Sequence, residues 1–305
     1  MTRGKILVIR GGAIGDFILT LPALAALRQQ FPQAHLEVLG YPHIVQLAEA
    51  GGLVNRVQPI EARGLASFFA RNGELPEDLR DYFSEFNIIV SYLYDPDEIF
   101  QTNVKRCSPG QFIVGPHRPD EADRTHATEV YLKPLERLAI FGADSVPRLA
   151  LGSQPSTLIS QLALHPGSGS ERKNWPEEKW AELIEQLLAT TSANLLLVGG
   201  EAEGERLQRL AAALPPPRCV VAKSLPLAEL ARRLKSCVGF VGHDSGITHL
   251  AAAVGLPCVV LWADTVEEIW RPQGERVEII KEVSGLHNLS VPRVAAEIAQ
   301  LILST

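Results

Sequence analysis

The chain has 305 residues, of which 46% are hydrophobic, and a formal net charge of −6 at pH 7. This length suits two α/β domains better than one, and the hydrophobic share allows each half to bury a core. The negative charge and the isoelectric point of about 5.8 disfavour a nucleic-acid partner.

Cysteine spacing and apolar runs exclude further classes of protein. The four cysteines form no CxxC pair and lack the spacing of metal ligands, so buried reduced thiols are expected. No stretch approaches 18 apolar residues, and the apolar run near the N-terminus has no cleavage site after it. The sequence therefore predicts a cytoplasmic protein. Peripheral contact with the cytoplasmic face of the inner membrane stays open, and no oligomeric state is predicted.

Short β-rich runs alternate with helical stretches along the first half of the chain. Apolar residues recur at helical period in the first long stretch. Strands are predicted at Lys5–Arg10, His35–Gly40, Arg56–Ile60, Asn87–Tyr92 and Gln111–Gly115, and helices at Asp16–Gln30 and His126–Phe141.

The alternation begins again after residues 143–161, a stretch with prolines, serines and weak periodicity that is interpreted as a linker. Strands are predicted at Leu162–His165, Asn194–Val198, Cys219–Ala222, Gly239–Gly242 and Cys258–Leu261. Helices are predicted at Glu177–Ala189, Glu201–Leu214, Leu227–Lys235, Gly246–Val254 and Val291–Leu303.

This repeated alternation predicts an α/β fold with two Rossmann-like, doubly wound parallel sheets. The predicted domains are residues 1–152 and 153–305, and the final helix could return to the first of them. Ligands of such sheets bind at the loops that follow the carboxyl ends of the strands. Three loops of this kind carry residues suited to chemistry.

The first loop runs from Arg10 to Asp16, directly after the first strand. Its glycines permit a tight turn, and Asp16 falls near the start of a helix. Asp16 is therefore either a helix cap or a catalytic carboxylate, and spacing alone leaves both open. Arg10 stands where a dinucleotide-binding GxGxxG loop needs its first glycine, which disfavours an oxidoreductase.

The second loop, His165–Pro176, combines small residues with two cations. Its glycines and serines offer N–H and hydroxyl donors, and Arg172 and Lys173 add positive charge. Such a loop is suited to phosphate, although a solvated glycine-rich turn has the same composition.

The third loop, Gly242–Ala253, places Asp244, Ser245 and Gly246 at a predicted helix start, where N–H groups favour an anion. Capping alone would also explain Asp244 or Ser245. Two anion-friendly turns at one sheet edge suit a diphosphate. Glu201, at the end of an intervening strand, could accept hydrogen bonds from ribose hydroxyls or only favour the helix start.

These segments together resemble glycosyltransferase family 9, which contains the ADP-heptose:lipopolysaccharide heptosyltransferases. The resemblance rests on Ile14-Gly15-Asp16 with Leu19–Leu24, on His165–Pro176, and on Asp244–Ala253 in that order. It implies a GT-B fold with two domains facing across a cleft, an ADP-activated heptose donor, inversion at the anomeric carbon, and no required metal or other cofactor.

The resemblance also implies roles for individual residues. Asp16 would be the general base that acts on the acceptor, a glycan or lipid-linked glycan. Ser168, Gly169 and Lys173 would contact the donor diphosphate, Glu201 the ribose and Leu225 the adenine. Asp244, Ser245, Gly246 and His249 would contact the sugar-diphosphate of the nucleotide-sugar donor.

One segment departs from the family pattern. Relatives commonly continue the fifth strand of the second domain as Phe-Gly-Pro-Thr, whereas this chain has Trp262-Ala263-Asp264-Thr265. The added acid leaves the sugar and nucleotide preference open. A Rossmann-type oxidoreductase or sugar-nucleotide-modifying enzyme, and a non-catalytic nucleotide-sugar binding protein, are the alternative functions.

Overall fold

The computed structural model describes residues 4–152, 161–201, 203–212 and 218–301. The chain separates into two compact units, Met1–Ser145 and Val146–Thr305. The predicted boundary at residues 152 and 153 adjoins residues outside the described ranges, as does much of the predicted linker. That boundary therefore stays a prediction.

The first unit contains a five-stranded parallel sheet in the order β3-β2-β1-β4-β5. Its strands are β1 Lys5–Arg10, β2 His35–Gly40, β3 Arg56–Pro59, β4 Ile88–Ser91 and β5 Gln111–Val114. Its helices are α1 Ile14–Ile18, α2 Leu21–Gln30, α3 Pro42–Ala50, α4 Glu77–Ser84, α5 Ile99–Lys105 and α6 Ala127–Leu132.

The second unit contains a six-stranded parallel sheet in the order β11-β10-β9-β6-β7-β8. The strands are β6 Gln161–His165, β7 Asn194–Gly199, β8 Cys219–Lys223, β9 Gly239–His243, β10 Cys258–Trp262 and β11 Val277–Lys281. The helices are α7 Glu177–Thr190, α8 Gly204–Ala212, α9 Leu227–Lys235, α10 Gly246–Ala253, α11 Glu267–Trp270 and α12 Val291–Leu301.

Each sheet is buried between helices, which explains why the central strands read as continuous apolar runs. In the second unit Trp175 and Trp180 are fully buried against β6 and β7 residues. The final helix α12 packs on α7, and its Val291, Val294 and Ile298 belong to the same core. Among the described residues no helix is long and apolar enough to cross a lipid bilayer.

Two predicted helices were wrong in extent, and proline explains both. The predicted helix Asp16–Gln30 is divided at Leu19 and Thr20 into α1 and α2. An uninterrupted helix would force the Pro22 ring against the carbonyl of Ile18. The predicted helix His126–Phe141 turns into a 3₁₀ helix at Lys133, next to Pro134, and ends at Ala139, whose φ is +57°.

The predicted helix Glu201–Leu214 was also wrong at its start, because α8 begins at Gly204. Its predicted end, at residues 213–214, lies outside the described residues. So do residues 302–303 of the predicted final helix, which otherwise begins at Val291 as predicted. The predicted strands all form, with ends that differ by at most one residue.

Candidate active site

Parallel strands bring the loops of the second unit to one edge of its sheet. Across the sheet from β9 to β8, the loops that follow the strands begin with Asp244, Pro166, Gly200 and Ser224. The chain order reverses between β6 and β9, because β7 and β8 are added on one side of β6 and β9 on the other. Such a reversal is the usual ligand position in an open α/β sheet.

An ion pair joins the two loops at this reversal point. Lys173 Nζ donates to Asp244 Oδ2 over 2.7 Å, and Thr265 Oγ1 donates to the same oxygen. The Lys173 side chain is 31% exposed and that of Asp244 is 9% exposed. The structure thus brings together a cation and a carboxylate that sequence analysis assigned to separate loops.

The loop after β6 passes close to an acid that the sequence analysis did not single out. Gly167 is buried, and a Cβ atom there would overlap the Glu203 side chain, with Oε1 2.6 Å away. Ser168 Oγ donates within the loop, to the oxygens of Ser170 or Asn174 at 2.9 and 2.8 Å. Gly169 is exposed at the tip. A side chain at position 167 would have to displace Glu203, and the Ser168 hydroxyl bonds within the loop.

Helix α10 begins at Gly246 in the loop after β9. Ser245 is its cap, and its Oγ accepts from the Thr248 N–H over 3.3 Å. His249 lies one turn into the helix and is buried. The N–H groups of the first turn face the carboxyl edge of the sheet, where the helix dipole favours an anion.

A buried histidine with no predicted role connects both loops. His243 Nδ1 donates to Gly167 O over 3.2 Å, and Nε2 accepts from the Trp175 N–H over 2.8 Å. Burial lowers the pKa of His243 to about 3, with nearby His165 and Arg206 acting in the same direction. The neutral ring therefore holds both ends of the segment that contains Ser168 and Lys173.

Arg206 supports the same segment from α8. It donates to Pro166 O over 3.1 Å and pairs with Glu171 over 2.8 Å. The hydrogen bond from Arg206 holds the pKa of Glu171 below its usual range. Nothing in a single sequence separates such an arginine from any other on a helix face.

Glu201 and Leu225 lie at the ends of the adjacent strands β7 and β8. Glu201 is exposed, and Leu225 is half-buried. The N–H of Ser224 donates to Gly199 O over 2.9 Å, which holds the Leu225 turn beside the end of β7. The two predicted nucleoside contacts therefore lie on neighbouring strands, on the far side of β6 from Asp244.

The added acid Asp264 has a partner in the described structure. Arg172 Nη2 lies 3.3 Å from Asp264 Oδ2, and both side chains are largely exposed. An exposed pair of this kind contributes at most about 1 kcal/mol to stability. Asp264 therefore neutralises one of the two loop cations without fixing the loop.

In the first unit, Asp16 lies at the reversal point between β1 and β4. Its Oδ2 accepts from the Ala13 N–H over 3.0 Å, and Oδ1 lies 3.6 Å from Arg10 Nη2. Gly12 has φ +97°, and a Cβ there would lie 2.9 Å from Asp16 Oδ2. The carboxylate remains 30% exposed, so it caps the turn and can still reach a ligand.

Metal ligands and reactive thiols are not found at these sites. Among the described residues no group of three or more histidines, cysteines or acids could hold a metal ion. Burial raises the pKa of the Cys237 thiol to about 12 and also raises that of Cys258. These thiols stay protonated at neutral pH and are poor nucleophiles.

Comparison with known proteins identifies a family that the second unit resembles. Residues 152–294 match the family model of glycosyltransferase family 9 (heptosyltransferase). The match covers 143 of the 305 residues, and it indicates that the chain is a glycosyltransferase similar to this family. The matched segment contains all of the residues discussed above for the second unit, from His165 to Thr265.

Curated relatives of this transferase extend the similarity over most of the chain. Lipopolysaccharide heptosyltransferase 1 of Pseudomonas aeruginosa is 26% identical, over 86% of this chain and 79% of its own. Lipopolysaccharide heptosyltransferase 3 of Escherichia coli is 23% identical, over 86% of this chain and 83% of its own.

A solved structure shares the fold of the transferase. The structure of the Escherichia coli heptosyltransferase WaaC with ADP matches with a TM-score of 0.76 and 20% sequence identity. The match covers 97% of this chain and 99% of the WaaC chain. The predicted GT-B class of α/β fold is therefore confirmed.

Proposed function

We propose that this transferase is inverting and metal-independent, and that it moves heptose from ADP-heptose to a lipopolysaccharide-core or related glycan. Relatives named lipopolysaccharide heptosyltransferases and a structural neighbour that holds ADP support these substrate classes. The observation that carries the proposal is the order of the loops along the second sheet.

A nucleotide-sugar is an elongated molecule whose parts run sugar, diphosphate, ribose, adenine. The loops after β9, β6, β7 and β8 carry Asp244, Lys173, Glu201 and Leu225 in that spatial order, although the chain order differs. Three strand spacings of about 4.8 Å separate β9 from β8, or about 14 Å in all. The donor therefore lies across the strand ends, with its diphosphate at the reversal point.

Two sources of positive charge face the proposed diphosphate position. Lys173 supplies an ammonium group, which is paired with Asp244 until an anion takes that place, and the first turn of α10 supplies N–H donors that follow Ser245. As the anomeric bond breaks, the departing ADP gains negative charge, which such fixed donors stabilise. Because the chain supplies this stabilisation itself, no metal ion is invoked.

Asp16 acts on the acceptor in this proposal. Its carboxylate removes the proton of the acceptor hydroxyl while that oxygen attacks the anomeric carbon. A carbon–oxygen bond forms to the acceptor, the bond to the diphosphate breaks on the opposite face, and ADP leaves with the electron pair. A single displacement of this kind inverts the anomeric carbon.

Calorimetry with ADP, UDP, GDP and NAD tests the donor site. We expect selective binding of ADP, weakened about tenfold or more in Lys173→Ala, since a charged hydrogen bond contributes about 1.5–3 kcal/mol. Lys133→Ala is the control, because it removes an equally charged, exposed lysine from the first unit. Equal ADP affinity in Lys173→Ala would refute the assignment of this lysine.

Binding of the other nucleotides tests the identity of the donor, and a chelator tests the metal-independent mechanism. Preference for UDP or GDP would retain a glycosyltransferase and reject ADP-heptose, and preference for NAD would favour an oxidoreductase. Turnover of ADP-heptose is expected to be the same with and without EDTA. Loss of turnover in EDTA that Mg²⁺ restores would overturn the metal-independent mechanism.

A further inference from the structure

An exposed aromatic pair lies at the reversal point of the first sheet. The Tyr94 side chain, in the loop after β4, is 69% exposed. Its ring centre lies 4.6 Å from that of His117, in the loop after β5, at an interplanar angle of 60°. By contrast, Tyr92 and Tyr131 nearby are fully buried. An aromatic ring left in water beside a second ring is a surface suited to a ligand.

A single buried side chain holds this pair beside Asp16. Arg10, which is 3% exposed, donates to His117 O over 2.8 Å and to Asp16 O over 3.3 Å. Its guanidinium carbon lies 4.5 Å from the centre of the Tyr131 ring, which fixes its plane. The main-chain oxygens of His117 and Asp16 are therefore bound by the same rigid group, and the Tyr94 ring packs at a tilt against the ring of His117.

The charge of the surrounding loops opposes an anionic ligand. Residues 92–98 and 116–124 contain six acids, namely Asp95, Asp97, Glu98, Asp120, Glu121 and Asp123. They contain two arginines, Arg118 and Arg124, of which Arg118 pairs with Glu121 over 2.9 Å, and Arg71 from outside these loops pairs with Asp97 over 3.4 Å, so the acids still outnumber the arginines. The net negative potential repels a phosphate or carboxylate, and it leaves a neutral ligand unaffected.

We infer that Tyr94 and His117 form a platform for the acceptor, and that the sugar residue they hold is uncharged. This inference rests on the proposed role of Asp16 as the base. One face of a pyranose ring consists of C–H groups that pack on the exposed tyrosine ring, while its hydroxyls can reach the His117 nitrogens. A ring stacked there presents a hydroxyl toward Asp16.

Saturation-transfer NMR on the full chain tests the platform without requiring turnover. The probes are methyl α-mannoside and methyl β-galactoside as neutral sugars, with methyl glucuronide and mannose 6-phosphate as anionic ones. We expect saturation of the neutral sugars, and an affinity about five- to tenfold lower in Tyr94→Ala. Phe141→Ala is the matched control, because Phe141 is 70% exposed in the same unit.

Kinetics separates this inference from the proposed function. With an acceptor that supports turnover, Tyr94→Ala should raise the acceptor KM and leave ADP affinity unchanged. Binding of neutral sugars that depends on Tyr94, in a chain that transfers nothing, would uphold the platform and reject the transfer mechanism. Equal or tighter binding of the anionic sugars, or turnover with an unchanged acceptor KM in Tyr94→Ala, would overturn the platform.

Discussion

The Asp16 carboxylate accepts a hydrogen bond that holds its turn, and it is partly exposed to a ligand. A substitution can separate the structural role from the catalytic one. Asp16 Oδ2 accepts the Ala13 N–H, and an asparagine oxygen can accept the same bond. Asp16→Asn should therefore keep the turn and the donor affinity. Turnover should fall about 100-fold or more, since an amide cannot take the acceptor proton. Initial rates measure the turnover, and calorimetry with ADP on the same preparation measures the donor affinity.

Asp81→Asn is the control for Asp16→Asn, because it removes an exposed carboxylate from α4. It should leave turnover and ADP affinity unchanged. Unaltered turnover in Asp16→Asn would remove Asp16 as the base. A loss of ADP affinity equal to the loss of turnover would instead indicate a damaged fold.

Residues with common local signals could be predicted from the sequence, and residues defined by distant partners could not. Lys173 and Asp244 follow strands and precede helices, so their positions at the sheet edge are readable from the chain. Their direct contact was not predicted, because it depends on β9 lying beside β6. The role of His243 requires knowing that Gly167 and Trp175 approach it from 68 or more residues away.

At the scale of the element, the loop between β6 and α7 depends on the neutral form of His243. The pKa of His243 is about 3 in the folded chain, against about 6.5 in the unfolded chain. Between these two pH values the unfolded chain therefore binds a proton at His243 that the folded chain does not. The contribution of His243 to stability is present above pH 6.5 and is lost as pH falls toward 3. Within that window the loss is at most about 1.4 kcal/mol for each pH unit.

His243→Asn removes this titration, so its stability should depend less on pH than that of the natural chain. The free energy of unfolding from urea titrations at several pH values between 7 and 4 measures the difference. As the pH falls, the difference in free energy of unfolding between the natural chain and His243→Asn should become smaller. His43→Asn, at an exposed position in the first unit, should retain the natural slope. Parallel pH curves for His243→Asn and the natural chain would contradict the assigned protonation state.

Regular elements with strong burial patterns were predicted well. Strand β2 and helix α9 have the predicted bounds, because apolar runs and helical periodicity mark buried faces. Strand β11 was missed: it lies at the edge of the sheet, Glu278 and Lys281 are exposed, and only Ile280 is buried. Helix α4 was missed because only Phe83 of its eight residues is buried, and α5 and α11 because seven and four residues are too few to show a clear helical period. Helix α3 was also missed, although four of its nine residues are buried.

At the scale of the whole molecule, aromatic residues are divided between the two units. All four tryptophans lie in residues 175–270 and all five tyrosines in residues 41–131. Tryptophan fluorescence therefore reports on the second unit, and tyrosine absorbance on the first. ADP at 100 times its dissociation constant should stabilise the unit that binds it by about 2.7 kcal/mol.

Urea unfolding with both signals checks this prediction. ADP should raise the midpoint of the tryptophan transition and leave the tyrosine transition in place. A tenfold weaker affinity in Lys173→Ala would leave ADP at about 10 times its dissociation constant, so the stabilisation should fall to about 1.4 kcal/mol at the same ADP concentration. An equal shift of both transitions would show that the two units unfold as one cooperative system.

The pairing of Lys173 with Asp244 changes what any binding measurement on this loop reports. The carboxylate is attached to the same folded unit, so its effective concentration at the ammonium group is fixed and does not depend on dilution. An anion that reaches Lys173 exchanges one ion pair for another, and it competes with a partner that never diffuses away. Its measured binding free energy is the difference between the free energies of these two pairings. When the anion leaves, Asp244 pairs with Lys173 again.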